Sequence, residues 1–170
     1  MRCLYERHRD SLLALANALL HDRGDAEDVV HDVFVGLARG LQDLNLRGSL
    51  KAYLSVGVCN RARDRIRAKV LDRRGNDPAP LPDRIVEAPD TILAQQECEG
   101  RLRAALQGLP LEQREVLLLR ARMDMTFKEI ARHQGVSINT VQGRYRYGIE
   151  RLRSLLGREL QPCDRKTTKT

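Results

Sequence analysis

A chain of 170 residues with a formal net charge of +7 can hold one domain or two small ones, and its basic balance points to a polyanionic partner. Aromatic residues make up 4% of it and Trp is absent, which disfavours a large β core and favours helical cores of Leu, Val, Ile and Ala. No apolar run is long enough for a transmembrane helix and no apolar signal segment opens the chain, so a cytoplasmic protein without membrane insertion is expected.

Leu4 to Leu20 is apolar at helical steps and predicts a first helix. Asp25-Ala-Glu-Asp28 opens a second, its acids favoured by the dipole at a helix N-terminus, and Val29, Val30, Val33, Phe34 and Leu37 continue it. Leu44–Gly48 reads as a loop. Ser49 is placed to cap a third helix that runs to about Leu71. Gly75-Asn-Asp-Pro-Ala-Pro-Leu-Pro-Asp83, followed by Pro89, is too rich in Pro and turn formers for a long helix and reads as a linker. Beyond it Ile92–Leu106 is helical. Leu109-Pro110 starts another helix, with Pro110 expected at the first helical position and Val116–Arg122 as its body. No segment alternates at period two, so the fold is expected to be all-α. The expected division is a first domain at 1–72, a linker at 73–91, a second domain at 92–160 and a polar tail at 161–170.

Charge follows the same division. Residues 1–75 carry a net +4, residues 76–100 a net −5 and residues 101–170 a net +8. Two basic blocks around an acidic connector suggest two polyanion-binding modules.

Residues 126–156 are the most informative stretch. Thr126 and Glu129 have the spacing of a capping box, and Phe127, Ile130 and Ala131 supply an apolar stripe. Gly135 sits where a left-handed residue ends a helix, and Ser137 is placed to cap the next one. Two short helices joined by such a turn form a DNA-binding helix-turn-helix. In the second helix Val141, Tyr145, Gly148, Ile149, Leu152 and Leu156 make an inner face. Asn139, Gly143, Arg146, Tyr147 and Glu150 lie opposite, flanked by Gln142 and Arg144. Asn and Gln can pair bidentately with adenine, Arg with guanine or phosphate, and Gly143 leaves room for close approach. A solvated basic face is the plainer alternative. The capping box, glycine turn and exposed Asn, Gln, Arg and Tyr set together argue against it.

The third helix holds a second constellation. Asn60, Arg63 and Arg67 recur at steps of three and four, with Tyr53 on the same side and Arg61, Arg65, Lys69, Arg73 and Arg74 around them. Aromatics beside a basic groove hold unstacked single-stranded bases. Here too a solvated helix stays open as an alternative, with Asp64 pairing a neighbouring Arg. The four Cys and four His are scattered without metal-ligand spacing, and no phosphate loop or nucleophile motif occurs, so no metal, no cofactor and no enzymatic activity are expected.

In order and spacing these segments resemble bacterial sigma-70 family sigma factors of the extracytoplasmic-function type. Asp25-Ala-Glu-Asp-Val-Val-His-Asp-Val-Phe34 is similar to the family's polymerase-binding helix. Ser49-Leu-Lys-Ala-Tyr-Leu with Asn60-x-x-x-Asp64-x-x-Arg67 is similar to its promoter-melting helix. Leu109-Pro-x-x-Gln-Arg-Glu-Val116 with the helix-turn-helix is similar to its second domain. The resemblance implies a protein that binds the clamp helices and flap of core RNA polymerase, recognises and melts promoter DNA, and is held inactive by an anti-sigma factor. It is expected to be a monomer when free. The implied polymerase contacts are Asp25, Glu27, Asp28 and Asp32, with Phe34, although Val29, Val33 and Phe34 mostly pack. The implied −10 contacts are Ser49, Lys51, Tyr53, Asn60, Arg63, Asp64 and Arg67, with a base pocket in the loop at about Asn45–Lys51. The implied −35 contacts are Ser137, Asn139, Thr140, Gln142, Gly143, Arg144, Arg146 and Tyr147. The acidic connector would thread the polymerase's nucleic-acid channel. The chain departs from the family's usual pattern at His31 and at Gln142-Gly143, so base preference at −35 cannot be copied across. A stand-alone helix-turn-helix regulator is the rival reading; it leaves residues 25–74 without a task.

Overall fold

The computed structural model describes residues 2–40, 49–73 and 90–159, and within them seven α-helices and no strand. The predicted loop at Leu44–Gly48, most of the linker and the tail from Gln161 lie outside the described residues.

Three helices form the first group. Helix α1 (Arg2–Leu20) buries Leu12, Leu15, Ala16 and Leu19, the steps of one helical face. His21 then turns the chain with φ 59, and its N–H donates to the Asn17 carbonyl at 2.9 Å. Helix α2 (Arg23–Arg39) begins earlier than Asp25, because Asp22 is its cap: the Asp22 carboxylate accepts from the Asp25 N–H at 2.9 Å. The acids at 25–28 therefore lie inside the first turns, where the dipole favours them. Helix α2 buries Ala26, Val29, Val30, Val33, Phe34 and Leu37. Helix α3 (Leu50–Arg73) is capped by Ser49, whose Oγ accepts from the Ala52 N–H at 3.1 Å. It buries Leu54, Val58, Cys59 and Ala62. Gly57 lets α3 close on α2, since a Cβ there would meet Val33 Cγ1 at 3.2 Å.

Four helices form the second group: α4 (Asp90–Gln107), α5 (Leu111–Met123), α6 (Phe127–Gln134) and α7 (Ile138–Glu159). Helix α4 starts two residues before the sequence-based boundary. Pro110 is the residue before α5, with extended ψ of 143, and not the first helical residue as expected. A proline is as well suited there, because the first helical N–H groups lack intrahelical partners in any case.

Helix α5 organises the molecule. Its residues Arg114 to Leu119 are buried without interruption, so no side of its middle faces water. A helix buried all round must have neighbours all round. Helices α6 and α7 flank it within its own group, and α1 and α3 pack against it from the first group. The hydrophobic cluster accordingly runs from Leu12 and Val58 through Val116 and Leu119 to Ile130 and Val141. At Gly148 a Cβ would meet Leu117 Cδ1 at 3.1 Å, so this glycine lets α7 lie close on α5.

Candidate nucleic-acid interface

The helix-turn-helix of α6 and α7 is fixed by its caps. The Thr126 N–H and hydroxyl each donate to Glu129 Oε2 at 2.8 Å, and the Glu129 N–H donates to Thr126 Oγ1 at 3.3 Å. The hydrogen bond from the Thr126 backbone, then that from its hydroxyl, holds the Glu129 carboxyl below its ordinary range. Gly135 takes the left-handed conformation at φ 66, which favours glycine. Ser137 Oγ accepts from the Thr140 N–H at 3.1 Å and starts α7. The capping box, glycine turn and second cap expected from residues 126–140 are all present.

On α7, Val141 and Gly148 are buried and Tyr145 stacks edge-on against Phe127 at 5.4 Å. Asn139, Gln142, Arg146 and Tyr147 are exposed, Tyr147 by 55%. The Arg146 guanidinium lies 5.0 Å over the Tyr147 ring, which pre-orders a cationic, aromatic tip. Nothing lies within 4 Å of where a Gly143 Cβ would stand, so the space above this turn of helix is open. Three more of the expected −35 residues, Ser137, Thr140 and Arg144, have local hydrogen-bond partners. The Ser137 and Thr140 hydroxyls are 2.9 Å apart within the cap. Arg144 Nη1 donates to Gln134 Oε1 at 2.7 Å.

The α3 constellation divides in two. Tyr53, exposed by 45%, and Asn60 line one groove between α2 and α3, together with Asp32, Gly36, Gly57 and Arg61. Arg63 does not share that groove. Its Nε donates to Glu115 Oε1 at 2.6 Å, its Nη2 donates to Glu115 Oε2, and this fork holds Arg63 more firmly protonated. Lys51 also leaves the exposed face and pairs with Asp124 at 3.1 Å. Asp64 and Arg67 are exposed and 3.9 Å apart. Of the seven expected −10 residues, the structure therefore brings Tyr53 and Asn60 to one groove and turns Arg63 and Lys51 toward α5.

The expected polymerase-contact residues of α2 divide as well. Glu27, Asp28 and Asp32 are exposed, with Arg23 at 3.0 Å, Arg65 at 3.1 Å and Arg61 at 3.6 Å respectively. Asp25 is mostly covered, paired with Lys69 and, at 3.4 Å, with Arg65. Phe34 is only 6% exposed and packs edge-on against Tyr5 at 4.8 Å. Its place is the core.

Three further polar residues, two of them within the motif Leu109-Pro-x-x-Gln-Arg-Glu-Val116, were given no individual role from the sequence. Arg114 donates to the carbonyls of Leu19, Gln107 and Leu109 at 3.2, 2.9 and 3.1 Å, and its Nη1 is 2.9 Å from His21 Nε2. Burial first, then the charges of Arg114 and Arg103, lower the His21 pKa to about 4. Glu115 is fully buried and receives Gln134 Nε2 at 3.1 Å besides Arg63. A charged pair directly before the apolar run Val116–Leu119, Arg114-Glu115, was the available signal. Among the described residues no group of three or more His, Cys, Asp and Glu is placed to hold a metal ion, and no helix is long and apolar enough to cross a membrane.

A capped helix-turn-helix behind a three-helix unit with a basic third helix is the layout of a two-part nucleic-acid-binding protein. The chain matches the sigma-70 region 2 family over residues 4–70 and the sigma-70 region 4 family over residues 99–152. It is 30% identical over 154 residues to the ECF RNA polymerase sigma factor SigM of Mycobacterium tuberculosis, covering 91% of this chain and 76% of that protein. It is 29% identical over 161 residues to the ECF RNA polymerase sigma factor SigE of Mycolicibacterium smegmatis, covering 91% of this chain and 61% of SigE. In fold it resembles the sigma factor RpoE solved with the anti-sigma factor NepR from Bartonella quintana. That likeness has a TM-score of 0.73 at 21% identity over 95% of this chain and 98% of the other. The chain belongs to the ECF RNA polymerase sigma factor family.

Proposed function

We propose that this protein binds core RNA polymerase, directs it to promoters and opens them for transcription initiation. Residues 1–72 and 92–160 act as its two working domains, joined by the linker at 73–91. The observation that carries this reading is the pairing, in one chain, of a cap-fixed α7 with an unobstructed polar face and a second basic helix with an aromatic groove. A duplex reader needs only the first. A protein that also opens the duplex needs a place for unstacked bases.

In this reading Asn139, Gln142, Arg144, Arg146 and Tyr147 enter the major groove of the −35 element, with Ser137, Thr140 and Gly143 shaping the helix start. Tyr53 and Asn60 meet the −10 element, with Ser49, Lys51, Arg63, Asp64 and Arg67 around them. The exposed acids Glu27, Asp28 and Asp32 face basic groups on the polymerase clamp. Asp25 and Phe34 support them from within, and the second domain docks on the flap. An anti-sigma factor is a third partner, and the free protein is a monomer acting in the cytoplasm. It works by binding and uses no cofactor. Footprinting separates this from the rival. Protection of promoter DNA should require core polymerase, whereas a footprint of equal strength on duplex DNA from the protein alone would make it a stand-alone regulator.

A further inference from the structure

One amide joins the core of the second helical group to the reading helix. Gln134 is the last residue of α6, beside the left-handed Gly135. Its Nε2 donates to Glu115 Oε2 at 3.1 Å and, more loosely, to the Glu112 carbonyl at 3.4 Å. Its Oε1 accepts from Nη1 of Arg144 on α7 at 2.7 Å. Both donors of the amide and its acceptor are therefore engaged. These neighbours admit only one orientation of the amide. A carboxylate and a carbonyl can only accept, and a guanidinium can only donate. Turning the amide over would set donor against donor at Arg144 and acceptor against acceptor at Glu115. The anchor beneath is firm as well, because Glu115 is fully buried and also receives the Arg63 fork.

Arg144 stands half-buried on the second turn of α7, at the flank of the polar face. Only its Nη1 is bonded to Gln134, so the edge formed by Nε and Nη2 keeps its donors. Such an edge can pair bidentately with a phosphate or with guanine. We infer that Gln134 is a positioning residue for −35 recognition: it holds the Arg144 guanidinium in one orientation, so that a bidentate edge is presented to the major groove before DNA arrives. The inference rests on the reading of α7 given above. An arginine loses rotamer freedom when it is fixed, and a side chain ordered in the free protein loses less of it on binding. The relay runs from the buried carboxylate of α5 through the end of α6 to α7, so the core sets the aim of a DNA contact.

The test is a double-mutant cycle on the full-length protein bound to core polymerase, read as affinity for a fluorescein-labelled duplex promoter taken from mapped start sites. Gln134→Met keeps the length of the side chain and removes its hydrogen bonds, while Glu115 keeps the Arg63 fork and stays paired in the core. Arg144→Ala should weaken binding by about 5- to 150-fold, the range of one good base contact. Q134M alone should weaken it by about 2- to 10-fold, the cost of ordering one mobile side chain on binding. In the R144A background Q134M should cost nothing further. The same cost in both backgrounds would make Gln134 a folding residue only and overturn the inference, as would wild-type affinity in Q134M. NMR relaxation of the free wild-type protein gives a second readout that needs neither variant nor DNA. The Arg144 Nε–H should be nearly as restrained as the backbone, and that of the exposed Arg153 should not. Equal mobility of the two would overturn the tether even if Q134M does not fold. If the wild-type holoenzyme binds no mapped promoter, the DNA role of α7 fails instead, and relaxation still shows whether the tether exists.

Discussion

Helices α3 and α7 both carry basic, aromatic-bearing faces, yet they use their charges differently. Every cation of α3 from Arg61 to Lys69 has a carboxylate partner: Arg61 with Asp32, Arg63 with Glu115, Arg65 with Asp25 and Asp28, Arg67 with Asp64 and Lys69 with Asp25. No residue of α7 takes part in an ion pair among the described residues. Arg146 rests on Tyr147, and Arg151 donates to the Gly108 carbonyl at 3.1 Å. The comparison separates two ways of holding a basic surface. Helix α7 is positioned by a cap at its start and by packing beneath, so its outer face needs no ion pair to hold it. Helix α3 is wired by charge to α2 and α5, so its basic surface is held in ion pairs. Exposed pairs such as Arg67 with Asp64 exchange readily, being worth at most about 1 kcal/mol. The buried Glu115 pair does not, because separating it strands a charge in the core.

The largest effect is expected where both helices depend on the same core. Leu119 of α5 is fully buried, so Leu119→Ala should cost about 2–5 kcal/mol in urea denaturation. The loss should appear in one cooperative transition, since α5 packs on both groups. Two separate transitions, only one of them shifted, would mean that the groups fold without reference to each other.

Next comes the groove of α3. Asn60→Ala should reduce transcription from duplex promoters by about 10–100-fold, the scale of a few kcal/mol of base unstacking. Pre-melted templates should restore much of it. Equal loss on both templates would place Asn60 in folding or polymerase binding instead. On α7, Gln142→Ala or Arg146→Ala should relax −35 selection by about 1–3 kcal/mol while polymerase affinity stays unchanged. A parallel loss of polymerase affinity would show that this face is not a dedicated reading surface.

A pH effect concerns the joint between the groups. His21 keeps a pKa near 4 in the folded chain, lowered by burial first and then by Arg114 and Arg103. The unfolded chain takes up that proton near the ordinary value of about 6.5. Stability should therefore fall as pH drops from above 6.5 toward 4, then level off with respect to this group. His21→Asn suits the left-handed backbone at φ 59 and should flatten that part of the profile. An NMR titration placing His21 at its ordinary pKa would remove the cause.

Much of this architecture was legible because its signals are local. Thr126, Glu129, Gly135 and Ser137 act within a few residues of themselves, and each does in the structure what its spacing suggests. Asp22 escaped notice because the acids that follow it offered a competing helix start. Pro110 was shifted by one position, since a proline fits on either side of a helix boundary. Glu115 and Arg114 carried no readable partner, because theirs stand 52 and 93 residues away, at Arg63 and His21. Periodicity put Arg63 beside Asn60. It could not show that a neighbouring helix would draw one of them off the shared face.

The most direct test of the central claim is reconstitution. Purified core RNA polymerase should be incubated with this protein and a genomic template, and the 5′ ends of the transcripts mapped. A recurring set of start sites that appears only when both are present, each preceded by shared −35 and −10 sequences, is the predicted result. Transcripts that start at the same places with and without this protein, or none at all from polymerase that responds to another sigma factor, would contradict the account.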